Sequence, residues 1–307
     1  MSGPTGAQFE IRQGAARAVV TELGAGLRAF EVAGVPYLQT FAEDQPPPMG
    51  SGAVLVPWPN RVAGGQWRWQ GRPEQLAITE PARGNAIHGL VRRKPWQVES
   101  RADDRISLTV DIPAEDGWPV PLRTAIEYTV DDRGLTVRHT VRNLGDEPVP
   151  FGVGTHPYPR AGTSAIDACE LRLAAATVLP LDPDTMVPSG PAVPVDGTEY
   201  DFRTPRSLAG ASLDTPFGGC EPAEDGLIHH RLTGQDGGVE LWAEPDFRWV
   251  QVFLTDGFPG QDSAVAIEPM TCPPDALNSG VDLIVLPPRE TWTGRWGIHP
   301  LPGGGIG

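Results

Sequence analysis

Six histidines are few enough to weigh one at a time, and two of them sit where side chains usually do chemistry. His88 lies in Asn85-Ala86-Ile87-His88-Gly89 and His156 in Gly154-Thr155-His156-Pro157-Tyr158. Both stretches are turn-like, the kind that presents functional groups on a rigid scaffold. The other four read differently. His139 falls on the apolar face of an alternating run and reads as a hydrogen-bonded core residue. His229 and His230 follow Asp225-Gly226 in a polar stretch and read as surface, and His299 sits in the tail. A carboxylate stands out in Ala264-Val265-Ala266-Ile267-Glu268-Pro269, where Val265 and Ile267 face one way and Ala264, Ala266 and Glu268 the other. Two methyl-sized neighbours leave space beside Glu268, although a salt-bridged edge glutamate fits the same pattern. Asn60-Arg61, after Val56-Pro57-Trp58-Pro59, is a further candidate, either for binding or for plain stacking of the arginine. Imidazole and carboxylate exchange protons near neutral pH, so the chemistry in view is acid–base. A zinc centre would want a third ligand and a closely spaced pair. The chain has no H-x-H and no H-E-x-x-H, and no metal is expected.

Such groups need a frame, and the frame read here is all-β. Ile106, Leu108, Val110 and Ile112 alternate with Ser107, Thr109 and Asp111. Leu135, Val137, His139 and Val141 alternate with Thr136, Arg138, Thr140 and Arg142, and Val250, Val252 and Leu254 flank Gln251 and Phe253. A period of two is the mark of strands with one buried and one wet face, as in antiparallel sheets. Turn signals bracket the runs at Ala33-Gly34, Gly64-Gly65, Gln70-Gly71, Asp131-Asp132-Arg133-Gly134 and Asp236-Gly237-Gly238. No stretch of ten or more residues combines helical periodicity with caps. The expectation is a large antiparallel β-sandwich in one domain spanning residues 1–307.

Composition agrees with that frame. The 34 prolines and 37 glycines are spread along the chain as turns rather than gathered into a linker. With 39 acidic against 24 basic residues the formal charge is −15, which disfavours nucleic acid and anionic membranes and favours neutral or cationic small molecules. Cys169, Cys220 and Cys272 are odd in number and far apart; reduced thiols in a cytoplasm fit better than a disulfide framework. The start, Met1-Ser2-Gly3-Pro4-Thr5-Gly6, lacks the basic and apolar regions of a signal peptide. No apolar run reaches the ~18 residues of a membrane span.

Taken together, the motifs form a series in a fixed order. It runs Val56-Pro57-Trp58-Pro59-Asn60-Arg61, Asn85-Ala86-Ile87-His88-Gly89, Asp116-Gly117-Trp118-Pro119 and Thr155-His156-Pro157-Tyr158. It continues with Leu213-Asp214-Thr215-Pro216-Phe217 and Ile267-Glu268-Pro269-Met270-Thr271-Cys272-Pro273-Pro274-Asp275-Ala276-Leu277-Asn278. The series resembles the aldose 1-epimerase (galactose mutarotase) family over nearly the whole chain. Glu22-Leu23-Gly24-Ala25-Gly26-Leu27 also looks like that family's first hairpin. The resemblance implies a large antiparallel sandwich, Glu268 as catalytic base and His156 as catalytic acid. It implies that Arg61, His88 and Asp214 hold the sugar, with Asn60 beside them, and Asp225 competes with Asp214 for its place.

The implied reaction interconverts the α and β forms of a free aldohexose such as galactose or glucose. A base takes the C1 hydroxyl proton while an acid protonates the ring oxygen, so no cofactor is needed. That fits a chain without a dinucleotide fingerprint or phosphate loop. In this scheme Glu268 stays ionised beside Arg61, a neighbouring carboxylate keeps His156 protonated, and Trp58 stacks on the sugar. Three rival readings remain. Arg92-Arg93-Lys94 could hold the phosphate of a hexose 6-phosphate, the fold could serve a non-catalytic sugar-binding or regulatory module, or Glu268 and Asp214 could be a glycosidase pair.

Overall fold

The computed structural model describes residues 3–235 and 237–301. Met1, Ser2 and Asp236, the first residue of one expected turn, lie outside the described residues. Among those described, a nine-stranded sheet runs in the order Gln97–Arg101, Arg105–Ile112, Leu122–Asp131, Gly134–Asn143, Thr291–Leu301, Gly237–Ala243, Ile228–Gly234, Glu170–Arg172 and Arg206–Ser207. A seven-stranded sheet runs Val193–Pro194, Thr177–Val178, Asp214–Gly218, Trp249–Thr255, Ala264–Met270, Gly154–Thr155 and Val54–Leu55. The pairings are antiparallel throughout both sheets. Four strands at the N-terminus form a further sheet. There the Glu22–Leu27 segment closes the second hairpin, between Ala16–Thr21 and Leu27–Val32, rather than the first. The only α-helix among the described residues is Ala276–Ser279, and no helix is long and apolar enough to cross a membrane.

The sandwich forms because the alternating side chains of both large sheets meet in one apolar cluster. Leu108, Ile126, Val137 and Leu241 of the larger sheet share it with Val250, Val252, Val265 and Ile267 of the smaller. Removing such surface from water is the main force holding the layers together, at ~25 cal/mol per Å² of apolar area. His139 sits in this layer as expected, fully buried, its Nε2 accepting the Trp296 indole N–H at 3.0 Å.

Two expectations fail here. His230 is 1% exposed, and its Nδ1 accepts the Ala174 amide at 3.3 Å. The polar stretch is the strand Ile228–Gly234, so adjacent residues face opposite ways. His229 takes the outer face, between Asp225 at 3.0 Å and Glu240 at 3.2 Å. Trp58 is also core: it is 2% exposed and its ring lies 6.0 Å from that of Trp118. It is not placed to stack on a ligand.

Candidate active site

One face of the smaller sheet is not wet, although its alternation predicts that. Glu268 is 2% exposed and Gln251 likewise, and the two are direct cross-strand partners. On the next strand Asp214 pairs with Phe253, which brings the Asp214 carboxylate within reach of Gln251. The Gln251 amide donates to Asp214 Oδ1 at 2.7 Å and its carbonyl accepts from Asn60 Nδ2 at 3.2 Å. The space expected beside Ala264 and Ala266 is filled by the protein itself, with Tyr158, Phe258 and Phe253 packed on them. What remains open lies at Glu268.

His156 arrives from the other side. It follows the short strand Gly154–Thr155, whose Gly154 pairs with both Met270 and Leu55. Its amide donates to the Ala53 carbonyl at 3.1 Å. Its Nε2 lies 3.4 Å from Glu268 Oε1. The imidazole stacks on Tyr158 with ring centres 5.2 Å apart and meets His88 edge-on at 5.4 Å. Gly50, with φ of +78°, closes the remaining side: a Cβ there would stand 3.1 Å from His156 Cδ2. The loop Pro46-Pro47-Pro48-Met49-Gly50 thus overhangs the site.

The third wall comes from residues 60–88. Asn60 has φ of 54° and His88 of 64°, left-handed conformations that asparagine and histidine tolerate better than most residues. Asn60 N–H donates to His88 Nδ1 at 3.2 Å, which leaves the proton of a neutral ring on Nε2. Gly89 must be glycine, because a Cβ would run into the Val56 carbonyl. Arg61 pairs across a two-residue ladder with Ile87. Its guanidinium is held by both oxygens of Glu80, Nε to Oε2 at 2.8 Å and an Nη to Oε1 at 3.0 Å. The motif's tail clamps the same strand: Asp275 N–H donates to the Arg61 carbonyl at 2.7 Å, and Ala63 N–H to Asp275 Oδ1 at 2.9 Å.

Asn60, Arg61, His88, His156, Asp214 and Glu268 therefore border one pocket of about 220 Å³. At ~30 Å³ per water this is the space of roughly seven waters, enough for one small polar molecule. Met49, Ile87, Gln251 and Phe253 complete its walls. Asp225 is not among them and is occupied with His229. Sequence reasoning missed Gln251, Glu80 and Met49. Gln251 had a signal, being a polar residue on the same face as an aromatic in a strand run. Glu80 and Met49 lie in loops and had none. Among the described residues no group of three His, Cys, Asp or Glu side chains is placed to hold a metal ion.

The electrostatics reverse one expectation. Burial raises Glu268 well above the ordinary carboxylate range, the Asp214 charge pushes it further, and Arg61 opposes. Burial also pushes His156 down to about 3, with Arg92 adding to the fall. Burial thus disfavours the carboxylate–imidazolium form of the pair, and Arg61, itself paired with Glu80, opposes this only in part. His88 is likewise held well below its ordinary value by burial and by His156, and burial raises Asp214. Glu268 Oε2 and His156 Nδ1 are buried with no hydrogen-bond partner, and buried polar atoms left so are costly in a finished core.

The family model described as aldose 1-epimerase matches residues 7–299. The uncharacterized protein YihR of Escherichia coli K12 is 31% identical over 287 residues, covering 92% of this chain and 89% of that protein. Human galactose mutarotase is 27% identical over 223 residues, covering 67% of this chain and 63% of its own length. A solved structure of the GalM/aldose epimerase homologue from C. elegans superimposes with a TM-score of 0.84 at 19% identity, covering 97% of this chain and 99% of the other. That last likeness is one of fold.

Proposed function

The chain belongs to the aldose 1-epimerase family, and from that premise we propose that it is a cofactor-independent isomerase exchanging the α and β anomers of an aldohexose free at C1, such as galactose or glucose. The observation that carries the reading is a carboxylate and an imidazole 3.4 Å apart in one buried pocket. Each keeps an unpartnered polar atom, and donors from Asn60, Arg61 and His88 stand around them.

Glu268 takes the proton from the C1 hydroxyl. His156 gives its proton to the ring oxygen as the C1–O5 bond breaks. The aldehyde turns about C1–C2, Glu268 returns its proton to the carbonyl oxygen as O5 attacks the other face, and His156 recovers the proton from O5. Protons balance and nothing is oxidised. Hydrogen bonds from the hydroxyls of the closed ring offset part of the cost of the ionised pair from which the first step starts. In the open-chain stage both groups are neutral, the form that burial already favours, so the pocket stabilises the species the reaction must pass through. Each positioned acid or base typically contributes ~10²–10⁴-fold. Arg61, locked by Glu80, and Asp214, locked by Gln251, orient the remaining hydroxyls. The three buried, unpaired thiols support a reducing compartment such as the cytoplasm.

Polarimetry of fresh α-galactose and α-glucose with Glu268→Gln and His156→Asn tests the assignment. Loss of nearly all acceleration in both is expected; full activity in either variant removes it.

A further inference from the structure

Tyr158 lies beside the pocket but takes no part in the proton transfers proposed above. It is 1% exposed, and its ring stacks on the His156 imidazole with the planes 26° from parallel. Phe258 covers its other side, ring centres 4.8 Å apart. A phenol seated so deeply needs a hydrogen-bond partner, and its hydroxyl donates to the Met49 carbonyl at 3.2 Å. Burial pushes the phenol up, and the charges of Glu268 and Asp214 add to the rise, so it remains a donor at neutral pH.

Met49 belongs to the loop that overhangs the site. Its side chain borders the pocket, although the residue is 42% exposed. Its Sδ accepts the Thr255 hydroxyl at 3.6 Å, and Thr255 ends the strand Trp249–Thr255 that carries Gln251 and Phe253. The loop therefore behaves as a strap. Its root is held where the Gly52 amide donates to the His156 carbonyl at 2.8 Å. Its far part is fastened at Met49 by two hydrogen bonds from distant segments, one from Tyr158 and one from Thr255. Pro46, Pro47 and Pro48 fix their own φ angles, so loosening the fastening at Met49 displaces the strap as a piece.

We propose that Tyr158 is a positioning residue that acts through Met49: its hydroxyl holds the strap over the bound sugar and keeps Met49 in the pocket wall. This rests on the mutarotase reading above. A tyrosine serving only as core filler would need its ring and not its oxygen. The hydroxyl is therefore the part that distinguishes the two roles. Releasing it leaves the imidazole its stacked ring and its own tether, the His156 amide on the Ala53 carbonyl at 3.1 Å. The effect then falls on sugar binding rather than on the proton transfer.

Initial rates of α-galactose anomer exchange, with Tyr158→Phe, Met49→Ala and the double variant, decide the matter. Tyr158→Phe should raise KM about three- to tenfold, the loss of one hydrogen bond, with kcat within about twofold of wild type. Met49→Ala should raise KM similarly, at an exposed position where folding is not at stake. The double variant should match the larger single effect, because both changes release the same strap. Tyr128→Phe is the control. It removes another buried hydroxyl bond, to the Ala25 carbonyl at 2.7 Å, from a residue that does not border the pocket, and should leave KM unchanged. Wild-type KM in Tyr158→Phe overturns the proposal, as do additive effects in the double variant or an equal rise in KM for Tyr128→Phe. Those outcomes leave the mutarotase reading standing; no acceleration of galactose or glucose by the wild type removes both.

Discussion

Of two buried histidines, His139 lies on a strand of the larger sheet and His156 follows a strand of the smaller, and burial pushes both down to about 3. His139 is sealed in the layer between the sheets. Trp296 satisfies its Nε2, and the ring of Phe247 lies 6.4 Å away. His156 is nearly as buried, but its Nε2 faces a carboxylate, and a pocket opens beside it. Depth and a perturbed pKa are therefore common to a packing residue and a candidate acid. What separates them is the partner and the hollow, and a site read from perturbed titration alone would have named both.

Exchanging the two histidines' fates sharpens this contrast most. His156→Asn should lower kcat for anomer exchange by about 10²–10⁴-fold while leaving the thermal midpoint close to wild type. His139→Ala should do the reverse. Leaving the Trp296 N–H without an acceptor costs about 1–3 kcal/mol, seen as a lowered Tm in calorimetry, with kcat per folded molecule retained. If His139→Ala abolished catalysis in folded protein, the contrast would be wrong.

Next in size is Gly50→Ala. The added methyl presses on His156 and is strained by the positive φ; a shift of about 1 Å can cost about 10²-fold in rate. Steady-state kinetics beside an unchanged far-UV spectrum would show it, and wild-type kcat would mean the overhanging loop does not position the imidazole.

Glu80→Gln comes third. It releases one of two charge-assisted bonds on Arg61, each worth about 1.5–3 kcal/mol. KM should rise about tenfold with kcat little altered, and rescue by Glu80→Asp would be partial. Equal losses in kcat and KM would mean that Arg61 acts on the reacting atoms rather than on the ring hydroxyls.

The smallest effect is on pH dependence. A histidine held at about 3 when folded but near 6.5 when unfolded binds its proton only in the unfolded chain between those values. Stability from His139 is therefore complete above about pH 6.5 and falls as pH drops toward 3. Glu268 has the opposite sign: raised by burial, it favours folding at low pH and loses that contribution as pH rises. Between pH 7 and 4, His139→Leu should lose less Tm than wild type, and Glu268→Gln should lose more.

The fold was legible because alternation is a local property. Leu135 to Val141 announced their own buried face, and Val265, Ile267 and Glu268 announced theirs. The six candidate residues were legible through motifs, and the structure brings them to one pocket. What could not be read are consequences of facing partners. Trp58 and Asn60 lie two residues apart, yet the left-handed turn at Asn60 sends one into the core and the other to the pocket. His230 looked exposed because its neighbours are polar, while its strand turned it inward. Gln251 looked like a wet-face residue because sequence cannot show that loops cover that face. The upward shift of Glu268 and the downward shift of His156 are likewise properties of depth, which neither motif contains.

The clamp from Asp275 to the Arg61 carbonyl joins positions some two hundred residues apart. A ribosome adding about 5–20 residues per second delivers one partner roughly 10–40 seconds after the other. Until the later segment emerges, the arginine wall lacks its backbone tether and Gln251 waits for Glu268, its cross-strand partner. The proposed acid–base pair is thus completed late in synthesis, and a nascent chain stalled before residue 268 would carry the proposed sugar-holding residues and His156 without Glu268.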